Sequence, residues 1–69
     1  MEIEKEFKGN MKKYKIEFVF IKGGYKSYVG VGSPVIEKGF VIVTDPDGYQ
    51  IFVNKDSIQT MVVYEYKGE

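Results

Sequence analysis

Apolar and polar residues alternate through much of this 69-residue chain, and a period of two is the signature of a β-strand with one buried face. In residues 12–21 the even positions Tyr14, Ile16, Phe18 and Phe20 make one such face, with Lys13, Lys15 and Glu17 between them. Val19 and Ile21 then put apolar side chains on the opposite face as well. Residues 11–21 form the longest predicted strand. Lys22-Gly23-Gly24 closes it into a hairpin with residues 25–31, since paired glycines supply the positive φ that tight turns need. Upstream, Ile3 and Phe7 fit either a short strand or a single helical turn, ended by Lys8-Gly9-Asn10.

Beyond the hairpin, Gly30-Val31-Gly32-Ser33-Pro34 ends a strand and permits a sharp bend, the device by which a small sheet turns a barrel corner. Glu37-Lys38-Gly39 leads into residues 40–44, a nearly continuous apolar strand. Asp45-Pro46-Asp47-Gly48 reads as a type I turn, and residues 49–53 return antiparallel. Asn54-Lys55-Asp56-Ser57 reads as one helical turn capped by Asn54, and the last strand follows from residue 58 to residue 66. The expected fold is all-β: a single domain over residues 1–69, built as a small five-stranded, partly open SH3-like barrel with one short helical turn before its last strand.

The expected interior is Ile16, Phe18, Phe20, Val29, Val31, Ile42, Ile51, Val53, Ile58 and Val62. Val19, Ile21, Val41, Val43, Phe52, Met61 and Val63 remain on the opposite parity and make a second apolar face. Covering four such side chains is worth on the order of 6 kcal/mol before association costs, at ~1.5 kcal/mol each. The chain is therefore expected to form a homo-oligomer or to bind a protein partner through these residues.

Charge refines this picture. Ten Lys balance ten acids, so nothing in the net charge marks a phosphate-coating protein. The distribution is uneven: residues 1–26 hold seven Lys against four Glu, whereas residues 27–69 hold three Lys against six acids. Lys12, Lys13, Lys15, Lys22 and Lys26 are interleaved with Tyr14, Tyr25 and Tyr28, a mixture of point charges and stacking platforms compatible with single-stranded RNA or DNA. The structural alternative is that these lysines guard a strand edge against unwanted pairing. All the cations are Lys, so no guanidinium fork is present for bidentate recognition of phosphate or guanine.

Chemistry is sparse. With no His, Cys or Arg, the common general base, the thiol nucleophile and the phosphoryl clamp are absent, and the reading is of a protein that is not an enzyme and uses no cofactor or metal. Asp45 and Asp47 are explained by turn chemistry and lack the further oxygens of a calcium loop. The acidic start Met1-Glu2-Ile3-Glu4-Lys5-Glu6 is unlike a signal peptide, and no apolar run approaches the ~20 residues of a membrane span, so the expectation is a cytoplasmic protein without membrane attachment.

The segment Phe40-Val41-Ile42-Val43, a turn, Tyr49-Gln50-Ile51-Phe52-Val53 and then Asn54-Lys55-Asp56-Ser57-Ile58-Gln59-Thr60 resembles the second conserved motif of the Sm-like family, in particular its bacterial Hfq branch. The resemblance is confined mainly to residues 40–60. It implies a five-stranded barrel closing into a ring that binds single-stranded RNA, with Phe40 as the base-stacking aromatic and Lys55 as the basic residue of the pore. Asp56 stands where that branch has His, and Asn54 replaces Tyr, so the resemblance bears on the fold more than on the RNA site.

Overall fold

The centre of the molecule is a strand that begins in lysines and ends in phenylalanines. The computed structural model describes residues 12–67. It places β1 at Lys13–Phe20, β2 at Tyr25–Val31, β3 at Val35–Glu37, β4 at Phe40–Thr44, β5 at Gln50–Asn54 and β6 at Ile58–Glu65, with a 3-10 turn at Lys55–Ser57. The strands form two antiparallel three-stranded sheets, ordered β2-β1-β6 and β3-β4-β5. The fold is all-β, as expected, and the segment 3–7 lies outside the described residues.

The turns form where the sequence provides for them. Gly23 and Gly24 adopt φ of 97° and 107° in the β1–β2 hairpin. At the β4–β5 turn, Gly48 N–H donates to the Asp45 carbonyl at 2.9 Å, and Gly48 has φ 93°. The Asp45 carboxylate there accepts from the Asp47 and Tyr49 amides at 3.0 and 2.9 Å. Asn54 Oδ1 caps the 3-10 turn by accepting from the Asp56 amide at 2.9 Å.

The core is Ile16, Phe18, Val41, Val43 and Val53, joined by the half-buried Tyr14, Phe20, Tyr28, Ile51, Ile58 and Met61. Phe18 anchors it, with ring centroids 6.0 Å from both Phe20 and Tyr28. Gly30 of β2 sits against β4, where the two sheets meet. A Cβ there would lie 3.0 Å from Val43 Cγ1 and 3.1 Å from Ile16 Cδ1, so the absence of a side chain lets the two layers close.

Three parts of the expected interior are corrected. In β4, Val41 and Val43 are only 1% exposed, and Ile42 faces outward. The turn pairs Asp45 with Tyr49 and thereby sets Val43 opposite Ile51 and Val41 opposite Val53, so odd residues share the inner face. In β2, Val29 and Val31 lie opposite Lys15 and Lys13 on the outer face, while Tyr28 and Gly30 oppose Ile16 and Tyr14 on the inner one. In β6, Val62 is 45% exposed and Met61 packs inward. A register shift after Val19 pairs Val19 with Thr60 but Phe20 with Ile58; Gln59 is skipped, and the alternation changes phase within the strand.

A further strand also appears. β3 was expected only as a lead-in to β4, yet it pairs with it as Glu37↔Phe40 and Val35↔Ile42. The connection is the two-residue loop Lys38-Gly39, with φ of 52° and 85°, the positive-φ pair of a tight hairpin.

Candidate interaction surface

Each sheet has an outer face, and the faces differ in kind. On β3-β4-β5 the outer positions are Val35 and Glu37, then Phe40, Ile42 and Thr44, then Gln50, Phe52 and Asn54. Phe40 and Phe52 meet edge to face with centroids 5.8 Å apart, yet they remain 40% and 55% exposed. Val35 beside them is also exposed. The rings, Ile42, Glu37, Lys38 and Gln50 line an open groove of ≈ 420 Å³. Two aromatic rings held on a rigid strand pair, rimmed by one acid and one base, form a surface suited to apolar contact.

The outer face of β2-β1-β6 is mixed. Its centre is Glu17, directly opposite Ser27 on β2 and Val62 on β6. The Tyr64 hydroxyl donates to Glu17 Oε2 at 2.6 Å. This bond holds the proton on the phenol, and the carboxylate charge and desolvation act in the same direction, so the Tyr64 pKa is raised above 10.0. Lys15 Nζ stands 5.5 Å from the centre of the Tyr66 ring, and Lys12 faces Glu65 at 4.0 Å. Ser27 Oγ is buried without a hydrogen-bond partner.

The residues expected to form one apolar face are dispersed. Val41 and Val43 are in the core and unavailable to a partner, and Met61 is half-buried against it. Val63 lies opposite Ile16 at the margin of the inner face, and Val19 is on the outer face of β2-β1-β6. Ile21 belongs to the hairpin turn, and only Phe52 lies on the β3-β4-β5 face. Sequence reasoning missed Val35 and Ile42, whose place depends on β3; the apolar dipeptide Val35-Ile36 before a Lys-Gly turn was the available signal.

The lysines and tyrosines likewise are not gathered on one face, and of Tyr14, Tyr25 and Tyr28 only Tyr25 shares the outer face of β2-β1-β6 with Lys13 and Lys15. Lys13 and Lys15 project from the outer face of β2-β1-β6, while Tyr14 and Tyr28 pack against the core from the inner one. Tyr25 is exposed opposite Val19, Lys26 lies opposite Phe18, and Lys22 is in the turn. Phe40 belongs to the other sheet and Lys55 to the 3-10 turn. Among the described residues no group of three or more His, Cys, Asp or Glu could hold a metal ion, and no helix is long and apolar enough to cross a membrane. No protein-family model, curated protein or solved structure matches the chain.

Proposed function

We propose that this protein is a non-catalytic binding module that self-associates and receives another protein on the outer face of β3-β4-β5. The observation that carries the reading is the exposed aromatic pair Phe40 and Phe52, flanked by Val35 and Ile42. Each such side chain removed from water contributes about 1.5–3 kcal/mol before association costs. The dispersal of the lysines over both faces of β2-β1-β6, the β1–β2 turn and the 3-10 turn favours apolar docking over an electrostatic track for nucleic acid.

The fold reading that accompanies this function treats β2 and β3 as one strand bent at Gly32, whose φ is 77°. The strand neighbours then run β6-β1-β2/β3-β4-β5, the order of a partly open SH3-like or Sm-like barrel. The Sm-like resemblance of residues 40–60 is supported in the same limited sense, by the β4–β5 pair followed by an Asn54-capped turn. In this reading Phe40 serves protein contact rather than base stacking.

A photo-crosslinking amino acid at position 52, compared with one at the exposed turn residue Asp47, tests the docking face in the cells that make the protein. A discrete protein adduct from position 52 and none from position 47 is expected. Light scattering over a salt series, with absorbance at 260 and 280 nm, tests self-association. An assembly unchanged at high salt is expected. A clean monomer, or a salt-sensitive assembly carrying nucleic acid, would overturn the proposal.

A further inference from the structure

Among the described residues, β6 is paired along one edge only. Backbone N–H and C=O groups of successive residues point to opposite edges of a strand. Tyr66 N–H donates to the Lys13 carbonyl at 2.8 Å, and the register continues from there as Lys15↔Tyr64, Glu17↔Val62 and Val19↔Thr60. Thr60, Val62 and Tyr64 of β6 therefore direct their backbone groups to β1. Met61, Val63 and Glu65 direct theirs away from it, to an edge that no strand among the described residues occupies.

Edge strands are commonly protected by lysine, proline or brevity. β6 is eight residues long, its sequence is IQTMVVYE, and its one charge is Glu65. By contrast, β5, the terminal strand of the other sheet, has five residues and turns only Gln50, Phe52 and Asn54 outward in the same sense. The exposure of β6 fits an uncovered edge: Val62, Val63 and Tyr64 are 45%, 37% and 46% exposed although all lie in one strand of a sheet.

We infer that β6 pairs antiparallel with β6 of a second copy about a two-fold axis at Val62, joining the two sheets into one continuous sheet of order β2-β1-β6-β6-β1-β2. This inference rests on the self-association reading and specifies its contact. Centring on Val62 sets Met61 opposite Val63 of the other copy, Thr60 opposite Tyr64, and Gln59 opposite Glu65. Apolar side chains meet apolar ones, and no like charges face each other. Met61 and Val63 are also the residues whose backbone groups point outward, so this register gives each of their amides an acceptor. The zero net charge of the chain imposes no repulsion between copies. The contact is strand addition, in which main-chain bonds supply the affinity.

The test is residue-resolved amide hydrogen exchange on the full chain, at concentrations above and below its dissociation, with mass measured in parallel. In the dimer, the Met61 and Val63 amides should exchange at least about tenfold more slowly than in the diluted monomer, whereas the Phe52 amide should be unaffected. Val63→Pro removes an outward amide without breaking a bond to β1 and should weaken dimerisation by at least about tenfold. A dimer whose Met61 and Val63 amides exchange freely would overturn the β6 contact and leave self-association standing. A monomer at all concentrations would overturn both. Protection of these amides in a monomer would mean that the chain covers its own edge, and would likewise overturn the contact.

Discussion

Gly30 and Tyr64 show how single residues set the limits of this fold. Gly30 has ordinary backbone geometry and is constrained by room alone, because its missing Cβ would press on Val43 and Ile16. Gly30→Ala should therefore destabilise the protein by about 1–3 kcal/mol through overpacking, read from the denaturant midpoint at unchanged slope. Tyr64 acts through its proton. Its pKa is raised in the folded state by the hydrogen bond to Glu17, so its contribution to stability is fully present below the unfolded value of 10.0 and is lost as pH rises through the folded value. Stability measured from neutral pH into the alkaline range should fall less for Tyr64→Phe than for the wild type. An identical alkaline loss in both would rule out the Glu17 bond as its source.

At the scale of elements, register decides what periodicity leaves open. Phe40-Val41-Ile42-Val43 is apolar at every position, so its sequence does not say which residues face inward; the five-residue β4–β5 connection says so by aligning Val41 with Val53. Val43→Thr, which buries a hydroxyl among Ile16, Gly30 and the rest of the core, should cost about 1–3 kcal/mol. Ile42→Thr, on the outer face, should cost clearly less, and the comparison by urea unfolding checks the parity. The Lys38-Gly39 loop offers the reverse change. Lys38 is the only non-glycine described residue with positive φ, at 52°, and Lys38→Asn should raise stability by about 0.5–1 kcal/mol. Turns were thus legible in the sequence wherever Gly, Asp, Asn or Pro declared them. The phase of β2 and β6 was not, because a hairpin register and a skipped residue opposite Phe20 are properties of strand pairs. The aromatic half of the candidate surface followed the same division: Phe52 was legible from the β5 alternation, while Ile42 and Val35 depended on a pairing that the alternation of β4 does not encode.

At the scale of the molecule, the core among the described residues has five buried hydrophobic side chains, contributed by both sheets, and no buried polar or charged one. A core this small leaves little reserve, so assembly and stability should be linked by mass action: the thermal midpoint should rise with protein concentration if copies pair, and should stay constant if they do not. The order of strands adds a consequence in time. β1 lies between β2, which follows it after a short turn, and β6, whose Tyr64 meets Glu17 from 47 residues further along the chain. During synthesis the first hairpin emerges with one flank of its central strand still open, and that flank stays open until β4 and β5 have been made. Lys12, Lys13 and Lys15 stand at the start of this strand, and positive charge there disfavours pairing of the open flank with another chain.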